Sequence, residues 1–351
     1  MSKEQELKSD ALKMSIETVE PSPRQIKEYS KSQRVLKVLL VLLLFLPWLP
    51  ELLYGEVNPV AAILSSFVVA SILLILLSHF QANIERKYRQ VTATQRDYFV
   101  NNLPLYFVAL IPGLFALGFA YMIPRFGVLT VVYVDAVLAV IFLVLARFPL
   151  AIRVGQRAVP LTDEHLLASF HDLARKMGVE NVNLYSVDWE KFKIANAFQV
   201  GPRKFSVYVS NYLLEGMSAE EVSAVMAHEL AHAKKKHVAK SLALFLFPLA
   251  ASMNILIVGA TFMENNIVVA AILIVTGVGS IFVIPRIAFH FRRNFELEAD
   301  AVAARTIDDP RAMITALKKL ADLSLIPAAK GSATHPSIMV RVQRIEQLTK
   351  S

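Results

Sequence analysis

Residues 218–262 read SAEEVSAVMAHELAHAKKKHVAKSLALFLFPLAASMNILIVGATF, and the reading of the whole chain starts from this run. Ser218 and Glu221 stand in the S-x-x-E spacing of a capping box, in which each side chain satisfies a backbone N–H at a helix start. A helix begun there carries His228 and His232 on one face, one turn apart, because residues i and i+4 stack. Neither Pro nor Gly occurs before Pro248, so the helix can run on into the apolar stretch at about 241–262. That stretch has the ~20-residue length a helix needs to cross the hydrocarbon core of a bilayer.

Working outward, further apolar spans lie at about 36–55, 59–79, 103–123, 127–147 and 267–289, making six. Composition agrees: 55% of residues are apolar and 19% charged, against about a quarter charged in ordinary soluble domains. The fold class read here is mainly α, a polytopic helical membrane protein. Pro47, Pro50, Pro104 and Pro112 predict kinks, which membrane helices tolerate when neighbours satisfy the freed carbonyls. Residues 1–34 form a polar tail without the pattern of a cleaved secretory signal, residues 35–149 a four-span region, and residues 150–351 a domain interrupted by a two-span hairpin at about 241–289.

Charge sets the orientation. With the N-terminus inside, the outer loops are 56–58, 124–126 and 263–266, and of the 37 Lys and Arg only Arg125 falls there. The positive-inside rule then puts the 150–240 region in the cytoplasm. The net charge of +8 is a topology signal, and no compact basic-aromatic module points to nucleic acid. With no cysteine in the chain, disulfides, thiolate zinc sites and cysteine nucleophiles are excluded.

Between the membrane regions, Thr162 and Asp163 can open a helix to about Met177, with Gly178 as its stop. Strand-like runs follow at Asn183–Val187 and Phe205–Ser210, with Lys193–Val200 between them.

The segment His228-Glu229-Leu230-Ala231-His232 carries the chemistry. Two imidazoles at i and i+4 can hold one Zn²⁺, and Glu229 can take a proton from the attacking water. The motif fixes only three positions, so its reading needs a third ligand elsewhere in the chain. A catalytic zinc needs a third protein ligand, and Phe295-Glu296-Leu297-Glu298-Ala299-Asp300 follows the last span. On a helix Glu296 and Asp300 share a face, with Glu298 roughly opposite. Glu296 is the expected ligand, and Asp300 the partner of the distal nitrogen of a ligating His. The same acids also suit neutralisation of Arg292 and Arg293 at the membrane surface.

Together, HELAH, two intervening spans and E-L-E-A-D resemble the integral-membrane zinc metalloendopeptidases that include HtpX and the CaaX prenyl proteases. Asn196-Ala197-Phe198 is similar to that family's N-A-F segment, which lies on a substrate-facing edge, and Thr334-His335-Pro336 with Arg341 to its T-H-P…R segment. The likeness covers about residues 160–349. It implies a zincin-like α+β cytoplasmic metalloprotease domain, one zinc on His228, His232 and Glu296, and Glu229 as general base. It also implies His335 as oxyanion stabiliser, with Asn196, Ala197 and Phe198 as substrate-binding residues. Arg341 is a further substrate-binding candidate, although an ion pair anchoring the C-terminal helix suits it better. Six spans depart from the four of HtpX-like members and the seven of the CaaX enzymes, which leaves substrate open. The partners expected are the lipid bilayer and peptide or membrane-protein substrates, in the inner or plasma membrane of a prokaryote.

Membrane-protein quality control is the expected role. CaaX-type processing is the alternative, and a non-catalytic transporter or scaffold the rival from another class. Elsewhere, Asp135 near the middle of the fourth span reads as paired or functional. His237, with Lys234–Lys236, reads as an interfacial basic cluster, because it stands five residues past His232 and off its face.

Overall fold

The computed structural model describes residues 22–45, 59–102, 125–147, 158–200, 205–262 and 266–350. The expected span at 103–123 lies outside these residues, as do the 1–21 part of the N-terminal tail and part of the span at 36–55. Helix α1 (Pro23–Phe45) packs along α2 (Pro59–Arg89), and α3 (Thr130–Arg147) follows a 3-10 turn at Gly127–Leu129. The soluble region then supplies β1 (Ala158–Pro160), α4 (Glu164–Met177), β2 (Val182–Val187), β3 (Ala197–Val200), β4 (Phe205–Ser210), α5 (Asn211–Gly216) and α6 (Ala219–Lys234). Helices α7 (His237–Thr261) and α8 (Ile267–Thr306) form the hairpin, and α9 (Arg311–Leu323) and α10 (Ile338–Lys350) close the domain.

Local chemistry fixes most boundaries. Asp163 caps α4 by accepting from the Leu166 N–H, and Gly178 ends it at φ 67°, the left-handed conformation that lets glycine close a helix. Ser218 and Glu221 form the complete capping box at the start of α6. The end of α6 differs from expectation. Lys236 adopts φ 54°, ψ 38° and separates α6 from α7, so the helix does not run on into the span. The left-handed residue turns the chain between the two helices and brings His237 back against His232.

The four strands order as β1-β2-β4-β3, with β2 and β4 parallel and both outer pairs antiparallel. One face of the sheet sends Leu184, Val207 and Val209 into a core shared with Phe170, Met177, Leu213, Met226, Leu230, Met313, Leu317 and Ile345. The other face carries a stack of rings: Trp189 on Phe198, Phe198 on Tyr208 and Tyr208 on Tyr185, with centroids 5.1–5.7 Å apart. Among the described residues strand β3 has a strand neighbour, β4, on one side only, which leaves its other edge open.

Helices α6 and α8 pack through small side chains. Ala224, Ala227 and Ala231 on the first, and Ala299 and Ala303 on the second, are fully buried. Short side chains permit close interaxial approach, which brings the polar residues between them within bonding distance.

Among the described residues, two helices are long and apolar enough to cross a membrane, at His237–Gly259 and Ile267–Thr306. Their apolar windows are only 6% buried, with Phe247, Ile267, Val275 and Phe282 largely exposed. A core helix would bury these side chains; lipid is the solvent that matches them. A Cβ on Gly259 would collide with Leu273, so glycine there lets the two helices of the hairpin close. Within this layer Asn254 on α7 donates from Nδ2 to Asp135 Oδ2 of α3 at 3.1 Å.

Candidate metal centre

Three donors converge where α6 meets α8. His228 Nε2 and His232 Nε2 lie 3.0 Å apart, and the Glu296 carboxylate lies 3.6 Å from each. A tetrahedral zinc with bonds of about 2.0–2.1 Å holds its ligand atoms about 3.3 Å apart. The set therefore fits one ion, in donor type and in spacing. Fit also depends on what faces the outer nitrogens: His237 meets that of His232 in a hydrogen bond, and a carboxylate lies against that of His228.

Behind His228, Asp300 Oδ1 stands 2.9 Å from Nδ1, although the approach is too oblique for a well-formed hydrogen bond. Asp300 is itself gripped by Arg341, which donates from Nε at 2.7 Å and from Nη2 at 2.6 Å. Arg341 is 5% exposed and its guanidinium faces Asp300, with Glu296 at 3.9 Å. Its position is that of an anchor between α10 and α8.

Behind His232 the arrangement is different. His237 Nδ1 lies 2.9 Å from His232 Nδ1, and His237 Nε2 lies 3.2 Å from Glu298 Oε2. Glu298, paired with Lys235 at 2.7 Å, accepts only. The protons therefore run one way: His237 Nε2–H donates to Glu298, and its free Nδ1 accepts from His232 Nδ1–H. That leaves the His232 Nε2 lone pair facing Glu296. His237 is buried and stacked on Phe295 at 4.6 Å, so it is not part of an exposed basic cluster. Sequence spacing missed it because the break at Lys236 cancels its angular offset. The one available signal was that both His237 and Glu298 are polar residues beside the two metal motifs.

Electrostatics separates the two histidines. Burial opposes a charge on His228, but Asp300 and Glu296 overcome it and hold its pKa at about 10. Burial and the neighbouring His228 push His232 down to about 3. Glu296 stays well below the ordinary carboxylate range, because the histidines outweigh its burial. Glu229 is pushed up to about 7 by burial, against the pull of His228 and of the Gln199 backbone N–H.

The Gln199 contact locates the edge strand. Ser210 N–H donates to Asn196 C=O at 2.9 Å, so in the antiparallel register Phe198–Tyr208 and Val200–Ser206 are also bonded pairs. Ala197 and Gln199 therefore turn their backbone groups to the open edge, on the side of Glu229. Asn196 and Phe198 do not; the Phe198 ring lies in the aromatic stack. His335 stands on the loop before α10, its Nε2 3.5 Å from Glu296 Oε1. Its Nδ1 is 2.9 Å from the Thr334 hydroxyl.

Comparison with known proteins identifies the lineage. Residues 160–349, more than half of the chain, match the family described as Peptidase family M48. The chain belongs to Peptidase family M48. Relatives of this M48 peptidase include a Protease HtpX homolog from Campylobacter hominis, 27% identical over 54% of this chain and 78% of that protein. A second, from Aeropyrum pernix, is 31% identical over 45% of this chain and 52% of its own length. Protease HtpX of Legionella pneumophila is 28% identical over 51% of this chain and 66% of its own. The solved structure of S. mikatae Ste24p shares the fold, with a TM-score of 0.62 at 17% identity across 90% of this chain and 83% of that one. The M48 peptidase is thus a protease of the membrane family that includes HtpX and the CaaX enzymes, and the converged donors lie inside the matched residues.

Proposed function

We propose that this M48 peptidase is a zinc-dependent endopeptidase that cuts membrane-associated proteins at the cytoplasmic face, in the service of membrane-protein quality control. The observation that carries the reading is the convergence of the ligand atoms of His228, His232 and Glu296 on one point. His228, His232 and Glu296 would hold the zinc, which when bound would supply Lewis acidity to a water and to the scissile carbonyl. Asp300 and the His237–Glu298 pair fix the ligands' tautomers and ring planes.

Glu229 does the proton work. It takes a proton from the attacking water as the oxygen adds to the carbonyl carbon, then passes it to the amine nitrogen as the C–N bond breaks. Its burial keeps its affinity for that proton near neutrality. In the Nε2–H tautomer the Thr334 hydroxyl donates to His335 Nδ1, and Nε2–H is placed to donate to the developing oxyanion. The substrate backbone adds to β3 as a further strand, bonding Ala197 and Gln199 rather than Phe198. The exposed apolar hairpin beside the site favours substrates already at the bilayer.

The test uses the detergent-solubilised chain. Wild type is expected to hold one zinc per chain and to cut casein, and Glu229→Gln to keep the zinc and lose the cleavage. Metal-free protein, or full cleavage by Glu229→Gln, would sink the reading. New protein termini in membranes carrying wild type but not Glu229→Gln would identify the substrates, with prenylated C-termini among them if the CaaX role holds.

A further inference from the structure

The loop that leads into β3 is fastened to the membrane region, outside the residues matched to the family. Arg89, the last residue of α2, donates from Nη2 to the Lys193 carbonyl. Lys193 sits at φ 48°, the left-handed conformation that closes the short 3-10 turn Glu190–Phe192, and Asn196 begins the edge three residues later. Two further bonds hold the same loop, since Thr92 N–H and Ala93 N–H both donate to the Lys191 carbonyl at 3.2 and 3.1 Å. Phe192 is inserted among Ala82, Val91, Ala93 and Tyr98, and its ring meets Tyr98 edge-on at 5.2 Å. Trp189, on the same loop, stacks on Phe198 of the strand.

Arg89 is in turn held from behind. Glu85 Oε2 accepts from Arg89 Nη1 at 3.1 Å, with both side chains about one-tenth exposed or less. Glu85 Oε1 accepts from Tyr29 Oη–H at 2.8 Å and from Gln33 Nε2 at 2.7 Å, both on α1. Gln25, one turn earlier, donates to the Tyr88 carbonyl at 3.1 Å. A buried ion pair contributes little net stability against a hydrophobic replacement. It does fix geometry, because a charged donor placed by a carboxylate aims its remaining N–H groups.

We propose that Arg89 is a positioning residue for the substrate-binding edge, aimed by Glu85 under Tyr29 and Gln33 of the N-terminal helix. Among the described residues the strand has only β4 as a strand partner, so the loop before it fixes one end of its approach to Glu229. Moving α1 moves Glu85, Arg89 and the Lys193 carbonyl in sequence, and through them the Ala197 and Gln199 groups that receive substrate. The N-terminal helix is thereby coupled to substrate affinity. The proposal rests on the functional reading that a peptide binds along β3.

The experiment measures steady-state cleavage of a fluorogenic casein-derived peptide by the full chain in detergent, with zinc content determined in parallel. Wild type against Glu229→Gln first establishes that cleavage depends on the proposed site; failure there removes the enzymatic reading, whatever the Arg89 variants do. Arg89→Met is expected to raise KM about 5- to 20-fold with kcat within about twofold and zinc unchanged. Arg89→Lys, which restores a donor without the fork, recovers part of the loss. Tyr29→Phe and Gln33→Leu leave Arg89 in place and raise KM by smaller factors, which keeps the test available should Arg89→Met fail to fold. KM unchanged in Tyr29→Phe and Gln33→Leu, or a fall in kcat alone in Arg89→Met, overturns the proposal.

Discussion

His232 is held at both ends of its ring, and the consequence is measurable one residue at a time. Replacing His237 by Phe keeps an aromatic ring against Phe295 but removes the acceptor for His232 Nδ1–H. Loss of such a partner typically costs 10- to 100-fold in metal affinity, so chelator competition should show zinc binding weaker by that factor, with His237→Gln less affected. Equal affinities in His237→Phe and wild type would leave the Glu298 chain without a role. Tyr29 gives a second prediction at this scale. Burial, then the Glu85 charge, pushes its phenol well above the ordinary value. A group whose folded pKa is raised contributes stability fully present below its unfolded value, about 10, and lost as pH rises beyond it. Thermal unfolding of wild type should therefore fall faster than that of Tyr29→Phe above about pH 10, with parallel curves below.

At the scale of elements, the alanine seam between α6 and α8 is what lets donors on separate helices meet. Ala303 is fully buried and lies seven residues, two turns, beyond Glu296 on α8. Ala303→Leu should cost ~1–3 kcal/mol by overpacking and displace Glu296 from the histidines. A lowered Tm together with lowered zinc occupancy is the expected result; a lowered Tm with full zinc would mean that the seam is structural only. Lys236 marks the other critical point, since a non-glycine residue in the left-handed region costs roughly 1 kcal/mol. Lys236→Gly should raise Tm slightly, and Lys236→Val lower it. Much of this level was legible from residues 218–232 and 296–300, because capping boxes and i,i+4 faces are local rules. The Asp163 cap and the Gly178 stop were legible for the same reason. The break at Lys236 was not, because lysine carries no local preference for the left-handed region. The β3 register was also hidden: N-A-F marks the segment, but which backbone groups face outward depends on its pairing with β4. The Arg89–Lys193 contact joins residues 104 positions apart, and no periodicity encodes it.

For the whole molecule, the absence of native cysteine makes topology directly testable. Single cysteines placed at Arg125 and Asn265 should react with an impermeant maleimide added outside intact cells, and one at Lys240 only after permeabilisation. Labelling of all three from one side would refute the six-span arrangement. The described structure also joins the site to the apolar hairpin in a physical way. Helix α8 runs over 40 residues with Pro285 inside it, about 60 Å at 1.5 Å per residue, with Glu296 and Asp300 toward one end and the apolar stretch toward the other. A helix of that length couples its two ends, with Pro285 as the point where it bends most easily. With the hairpin in a bilayer too thin for it, the mismatch would be met by tilt, and tilt of α8 would shift the carboxylates relative to the histidines, which stand on a helix separated from α7 at Lys236. Cleavage by the chain reconstituted in vesicles of graded acyl length should pass through a maximum at the matched thickness, so that membrane thickness itself becomes a regulator of proteolysis.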